Sequence, residues 1–175
     1  LIADKSGPLA LAGVMGGMSS SVTGATRNIF LESAYFTPEV IAVTARDRNI
    51  HTDSSHRFER GVDFSLQREA VERASSLLME ITGGRCGEII EKTNARHMPE
   101  KLPIRLRRSR LNALLGTNIN IRQMTGALRC LGMEVRGKTD TLRVVAPACR
   151  FDINIEADLI EELGRLLDGE RRSLS

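Results

Sequence analysis

The sequence predicts an α+β fold divided between two domains. Apolar residues at helical spacing fill 66–81, glycine-bounded apolar segments near the start are typical of short strands, and the chain ends in a hairpin and an acidic helix. A length of 175 residues allows one domain or two small ones. The polar stretch 94–101, which contains Pro99, marks the boundary. We therefore expect domains at 1–98 and 99–167.

The first domain is predicted to alternate between short strands and helices around one polar loop. The loop is predicted because its many polar side chains follow neither the helical nor the strand period. Such a density of hydrogen-bond donors and acceptors is typical of a segment with a binding role or of a surface loop held by its own hydrogen bonds. In chain order, the expected elements are a strand and glycine turn at 8–17, a strand at 28–36, a helix at 38–45, the polar loop at 51–61, a helix over 66–81 closed by Gly83 and Gly84, and a strand at 86–91.

The second domain is predicted to be small and mostly helical, with one β-hairpin. Helices followed by a hairpin are typical of a winged-helix-like arrangement of the kind that binds nucleic acid. In chain order, we expect a strand at 104–107, helices at 109–115 and 122–131, hairpin strands at 133–136 and 142–145, the acidic helix, and a disordered tail at 168–175.

Composition excludes several classes of protein. Hydrophobic content of 41% and charged content of 27% are typical of a globular protein. No apolar run approaches the ~20 residues of a membrane span, and the start has no basic region followed by an apolar one, so a cytoplasmic location is expected. Three widely separated cysteines favour neither a disulfide framework nor a zinc ribbon.

Charge is unevenly shared between the two predicted domains. Residues 1–98 have 11 Lys and Arg against 12 Asp and Glu, whereas 99–175 have 14 against 10. The excess of positive charge in the second domain permits contact with nucleic acid without requiring it. Two interpretations of its basic cluster stay open, a phosphate contact or a solvated strand edge protected by charge. The cluster consists of Arg105, Arg107, Arg108 and Arg110.

The acidic segment near the end of the chain is the most informative feature of the sequence. At 100° per residue Asp158, Glu161 and Glu162 share one sector of a helix, and Asp152 lies just ahead of it. Carboxylates converging on one patch suit a hard cation such as Mg²⁺. The alternative is a solvated face on which Arg165 pairs with both glutamates. The opposite side of the helix is apolar, with Leu159, Ile160, Leu163, Leu166 and Leu167.

Two features of the first domain suggest a ligand without proving one. Gly13, Gly16 and Gly17 match no dinucleotide or P-loop fingerprint, so they form either a tight turn or a place where a ligand meets bare backbone. Glu32 interrupts an apolar segment. An inward carboxylate is costly without a donor, so Glu32 either faces solvent or recognises a polar group.

Taken together, four stretches of the chain resemble the β chains of bacterial phenylalanine–tRNA ligases. They occur in the family's order over residues 1 to about 163, which is far more specific than any single motif. The matching stretches are 11–17, 30–36, 51–63 and 146–163.

The resemblance implies that the first domain is the C-terminal half of an editing module that removes tyrosine wrongly attached to tRNA(Phe). A histidine and an arginine of the family's pocket are expected upstream, so this internal piece should not edit efficiently alone. Gly16, Glu32 and Thr52 match editing-pocket positions, with Glu32 recognising the tyrosine hydroxyl. Ser54 stands where the family commonly has alanine, which alters the expected fit around the amino acid.

For the second domain the resemblance implies Mg²⁺ ligands at Asp152, Asp158, Glu161 and Glu162, in a site associated with the α subunit. The intact enzyme is expected to be an (αβ)₂ assembly that uses ATP and Mg²⁺ to attach phenylalanine to tRNA(Phe). The α chain holds the synthetic site, so no catalytic residue is expected in this piece. The alternative function is a non-enzymatic module that binds RNA or a protein through the basic second domain.

Overall fold

The computed structural model describes the backbone of residues 1–173 and the side chains of residues 1–166. The chain divides into two compact units, Leu1–Met98 and a second that begins at Pro99. The described residues form six α-helices and two three-stranded sheets, which confirms the α+β class. Within these residues, no helix combines the length and the apolar character needed to cross a membrane.

The first unit places a small antiparallel sheet beside three helices. Its buried hydrophobic core is limited to Val14, Ile41 and Ala45. Phe36 and Phe58 pack against this core and meet each other edge to face. In chain order, the elements are β1 Ile2–Asp4, β2 Gly7–Leu11, β3 Met15–Gly16, α1 Pro38–Arg48, α2 Asp53–Arg60 and α3 Gln67–Thr82, with the strands in the order β1-β2-β3.

Helix α2 corrects the prediction of a polar loop at 51–61. The helix starts at a capping box, in which the Thr52 side chain accepts a hydrogen bond from the backbone N–H of Ser55 and the Ser55 hydroxyl accepts one from the N–H of Thr52. Such caps satisfy donors that the first turn would otherwise leave unpaired. The sequence did not indicate this helix because its many polar side chains hide the helical period. Helix α3, in contrast, lies where the sequence predicts it and ends at Gly83, which adopts the left-handed conformation.

Two strands predicted in the first unit are absent from the structure. The backbone at 28–36 joins neither described sheet, and Ile29 and Phe30 there are 54% and 89% exposed. Residues 86–91 likewise form no strand. An apolar run becomes a strand only where a neighbouring strand takes up its backbone hydrogen bonds, and these runs have no such partner among the described residues.

The second unit encloses a larger core, and its elements lie where the sequence predicts them. Fourteen hydrophobic residues form one buried cluster, including Leu106, Leu128, Leu142 and Leu163. In chain order, the elements are β4 Ile104–Arg107, α4 Arg108–Leu115, α5 Ile121–Cys130, β5 Glu134–Arg136, β6 Thr141–Val145 and α6 Glu156–Ser173, with antiparallel strands in the order β4-β6-β5.

Alternation in the strands and periodicity in α6 explain this core. Leu142 and Val144 of β6 point inward while Arg143 is exposed, as the period of two requires. On α6, Leu159 and Leu163 are buried as predicted.

The winged-helix-like arrangement of the second unit stays a prediction. Helix α6 continues to Ser173, so the backbone of residues 168–173 is helical where the sequence predicted a disordered tail, and residues 174 and 175 lie outside the described part of the chain.

Candidate functional site

The first unit contains a cavity of about 530 Å³ beside its glycine turn. The turn between β2 and β3, the segment around Glu32, helix α2 and the start of α3 all contribute to its walls. The wall is apolar apart from a few polar side chains. The polar residues that line it are Glu32, Ser33, Ser54, Asp63 and Gln67.

The glycines of the turn have two different physical roles. Gly13 adopts φ +68°, and a Cβ there would lie 2.7 Å from Ile41 Cδ1 and 2.8 Å from Phe36 Cδ2, so this position requires glycine. Gly16 lines the cavity, and a Cβ there would meet nothing within 4 Å. The missing side chain at Gly16 therefore adds open space for a ligand.

Glu32 brings a carboxylate to the rim of this cavity. Glu32 is an exposed residue, yet the neighbouring protein atoms partly desolvate its carboxyl and raise its pKa above the ordinary value. Among the described residues, no side chain forms a salt bridge or hydrogen bond with this carboxylate. A carboxylate of this kind has oxygen atoms ready to accept a hydrogen bond from a ligand hydroxyl.

Thr52 and Ser54 connect α2 to the glycine turn by hydrogen bonds. The Thr52 hydroxyl donates to the carbonyl oxygen of Val14 at 2.6 Å, and the Ser54 hydroxyl donates to that of Gly13 at 3.0 Å. Ser54 lines the cavity, whereas Thr52 is absent from its lining. Of the four predicted pocket residues, Gly16, Glu32 and Ser54 thus line one cavity, whereas Thr52 does not line it and only hydrogen-bonds to Val14, which does.

Asp63 and Gln67 also line the cavity and were missed by sequence reasoning. The Gln67 side-chain amide donates to the carbonyl oxygen of Asp63 at 2.8 Å, and the Asp63 carboxylate accepts from the N–H of Ser65 at 2.8 Å. Their polar side chains at the start of α3 were the available signal. An aspartate before a helix is common as a cap, however, so nothing in the sequence indicated a cavity.

The four carboxylates predicted to bind Mg²⁺ have protein partners in the second unit. Arg150 donates from Nε and Nη2 to Asp152 at 2.9 and 2.7 Å, and from Nη1 to Glu162 at 3.0 Å. Asp158 accepts from the backbone N–H groups of residues 154 and 155 and thereby caps α6. Arg165 pairs with Glu161 and, at 3.2 Å, with Glu162.

This arrangement does not fit a metal ion as it stands. Within residues 1–166, no three His, Cys, Asp or Glu side chains come together in a group that could hold one. The Arg150 guanidinium supplies the positive charge instead, and its hydrogen bonds hold the pKa of both Asp152 and Glu162 below their ordinary values. The Arg165 pairs match the solvated-face alternative that the sequence left open.

The basic cluster of the second unit also divides into paired and unpaired members. Arg107 contacts Glu156 through Nε at 3.0 Å and Nη2 at 2.6 Å, and lowers the pKa of that carboxyl. Arg110 lies 3.5 Å from the same carboxylate, and Arg108 lies 3.1 Å from Asp140. Three of the four arginines are therefore occupied by neighbouring carboxylates.

Comparison with known proteins agrees with the division into two units. Residues 1–83 match the profile of the B3/4 domain, and residues 104–168 match that of the tRNA synthetase B5 domain. The phenylalanine–tRNA ligase beta subunit of Haemophilus influenzae Rd is 51% identical over 166 residues, which is 95% of this chain and 21% of that protein. The corresponding subunit of Coxiella burnetii is 52% identical over 171 residues, 98% of this chain and 22% of that protein.

The aminoacyl-tRNA synthetases are the class of protein that the chain resembles, through a B3/4 match followed by a tRNA synthetase B5 match. More particularly, the chain is similar to phenylalanine–tRNA ligase beta subunits. It spans about a fifth of the length of the curated relatives that it matches.

Proposed function

We propose that this chain is part of a phenylalanine–tRNA ligase and that its first unit inspects the amino acid during hydrolytic editing of tyrosyl-tRNA(Phe). One observation carries the proposal: a Glu32 carboxylate on the rim of a largely apolar cavity, with no side-chain partner among the described residues. The relatives are named as beta subunits of this ligase.

The chemistry of discrimination explains the need for such a carboxylate. A pocket shaped for phenylalanine rejects the added hydroxyl of tyrosine by only about 10²-fold, because the hydroxyl costs little in an apolar site. A second site that hydrogen-bonds the hydroxyl selects tyrosine positively, since phenylalanine would leave the polar group unpaired. Glu32 would accept the phenol O–H, and the room beside Gly16 would admit the ring.

The other pocket residues have positioning roles in this proposal. Thr52 fixes α2 against the glycine turn through Val14, and Ser54 does so through Gly13 while lining the cavity. No residue of this chain is assigned the hydrolytic or the synthetic step. We expect the isolated chain to be inactive in both reactions.

The wider assembly is inferred from the relatives. A beta subunit implies an alpha subunit as its partner, and we propose an (αβ)₂ ligase that consumes ATP and acts on tRNA(Phe) in the cytoplasm. The second unit would contact the alpha subunit on its acidic side.

We also propose that Asp152, Asp158, Glu161 and Glu162 bind Mg²⁺ only when Arg150 is displaced. The proposal follows from competition, because Arg150 now donates to two of the four carboxylates. Calorimetric titration with Mg²⁺ provides the test. We expect Arg150→Gln to bind Mg²⁺ about tenfold more tightly than the wild type, since the variant keeps Arg165 but loses the cation that holds Asp152 and shares Glu162. Equal binding by both proteins would contradict the competition.

The editing proposal is tested in the complete beta subunit assembled with its alpha partner. Glu32→Ala should slow deacylation of tyrosyl-tRNA(Phe) by about tenfold or more, because one charge-assisted hydrogen bond contributes roughly 1.5–3 kcal/mol. Charging with phenylalanine should stay unchanged. Glu88→Ala is the matched control, since Glu88 is an exposed acidic residue of the same unit that does not line the cavity. Normal deacylation by the Glu32 variant would refute the role.

The alternative function, a non-enzymatic module that binds through Arg107 and Arg108, finds less support. Both guanidiniums are engaged with carboxylates of the same unit. Binding of RNA or protein through these two arginines would require those ion pairs to break.

A further inference from the structure

Three arginines form a row across the sheet of the second unit. Arg105 on β4 lies directly opposite Arg143 on β6, and Arg143 lies directly opposite Arg136 on β5. Residues in register on neighbouring strands share a face, and all three are exposed. Because neighbouring strands lie about 4.8 Å apart, the row spans roughly 10 Å. The sequence alone did not show this row, since its members are 31 and 7 positions apart.

The positive charge of this row is largely uncompensated. Within the part of the chain that the structure describes, no ion pair forms at Arg105 or Arg143, and Glu134 lies 3.6 Å from Arg136 with both of those side chains mostly exposed. An exposed pair of this kind contributes little. Like charges directly opposite each other destabilise a sheet, so the row costs the fold some stability.

Protection of the sheet edges does not explain the row. Charged side chains on edge strands prevent pairing with other chains, and this applies to Arg105 and Arg136 on β4 and β5. The strand order β4-β6-β5 places Arg143 on the central strand, which has no free edge. The central arginine therefore needs another explanation.

A shallow hollow on the same face offers one. It has a volume of about 460 Å³ and is lined by Pro103, Arg105, Thr141 and Arg143. Two arginines and a threonine thus line one concave surface. Guanidinium groups bind phosphate oxygens through two parallel N–H donors, which makes arginine well suited to phosphate recognition.

We propose that this arginine row binds the phosphate backbone of folded RNA. The only aromatic residue between 99 and 175 is Phe151, which lies outside the sheet, so the face has no platform on which bases stack. The contact is therefore to phosphates and independent of sequence. A polyanion also relieves the repulsion among the three arginines. This inference does not depend on the cavity of the first unit.

The test measures binding of the 175-residue chain to a fluorescently labelled tRNA transcript across a range of salt concentrations. Arg105→Gln combined with Arg143→Gln should weaken binding about tenfold at low salt. The slope of log affinity against log salt should become shallower by about 1.4 to 1.8, because each of the two lost phosphate contacts removes roughly 0.7 to 0.9. The control combines Arg122→Gln with Arg129→Gln, two exposed arginines of α5. It removes the same charge and should leave the slope unchanged.

Several outcomes would overturn the proposal. Equal loss in the test and control variants would mean that overall charge, and not the row, drives binding. Absence of wild-type binding at low salt would also refute it. Displacement of the tRNA by polyglutamate at equal charge concentration would indicate an acidic protein as the ligand. Thermal unfolding guards against misfolding: the test variant should melt at or above the wild-type temperature, and a clear drop would contradict the repulsion on which the proposal rests.

Discussion

The two units of this chain use their apolar and charged side chains in different ways. The second unit buries fourteen hydrophobic residues in one cluster, while the first buries three and surrounds a cavity with others. In the second unit arginines lower the pKa of Asp152, Glu156 and Glu162, whereas in the first burial raises the pKa of Glu32. The difference separates a unit whose carboxylates pair with its own arginines from one that leaves a carboxylate available to a ligand.

The largest expected effect tests the contrast in core size. Leu128→Ala should lower the free energy of unfolding of the second unit by about 2–5 kcal/mol, because the fully buried side chain leaves a cavity when truncated. Urea denaturation and amide exchange of β4 to β6 would measure it. Val22→Ala in the first unit, at a position 76% exposed, should cost less than about 0.5 kcal/mol. A similar loss of unfolding free energy in both variants would contradict the contrast in core size.

A smaller effect distinguishes the two glycines of the cavity. Gly13→Ala should destabilise the first unit by about 1–3 kcal/mol, since alanine is strained at φ +68° and its Cβ would crowd Ile41 and Phe36. Gly16→Ala is the matched control and should unfold close to the wild type, because the added methyl meets open space. Thermal denaturation compares them. A Gly16 variant as unstable as the Gly13 variant would show that the cavity is not open there.

The smallest effect concerns acid stability of the second unit. Asp152 and Glu162 have pKa values lowered in the folded state, so their contribution is fully present above the unfolded values near 4 to 4.5 and is lost as pH falls through the lowered values. Its size should be on the order of 1 kcal/mol or less, because both pairs are partly exposed. Denaturation curves from pH 6 down to pH 2 should show a flatter acid dependence for Arg150→Gln. An unchanged curve would rule out this linkage.

Sequence predicted the second unit better than the first. Strand 104–107 and the hairpin were predictable because alternating burial and turn residues agree there with the fold. In the first unit, α2 was hidden by its polar composition, and the apolar run at 28–36 formed no strand because pairing depends on a neighbour that the run itself does not specify. The cavity was foreseen only in part. Gly16, Glu32 and Ser54 line it, but no pattern in the sequence showed that Thr52 would be outside its lining.

The two hydrogen bonds that join α2 to the glycine turn have a consequence for binding. They link positions 38 and 41 residues apart in the chain, so helix and turn form one piece before any ligand arrives. An incoming ligand would then lose its own freedom of motion, but the wall of the cavity would not have to become ordered as well. Preorganisation of this kind favours tight binding at little entropic cost.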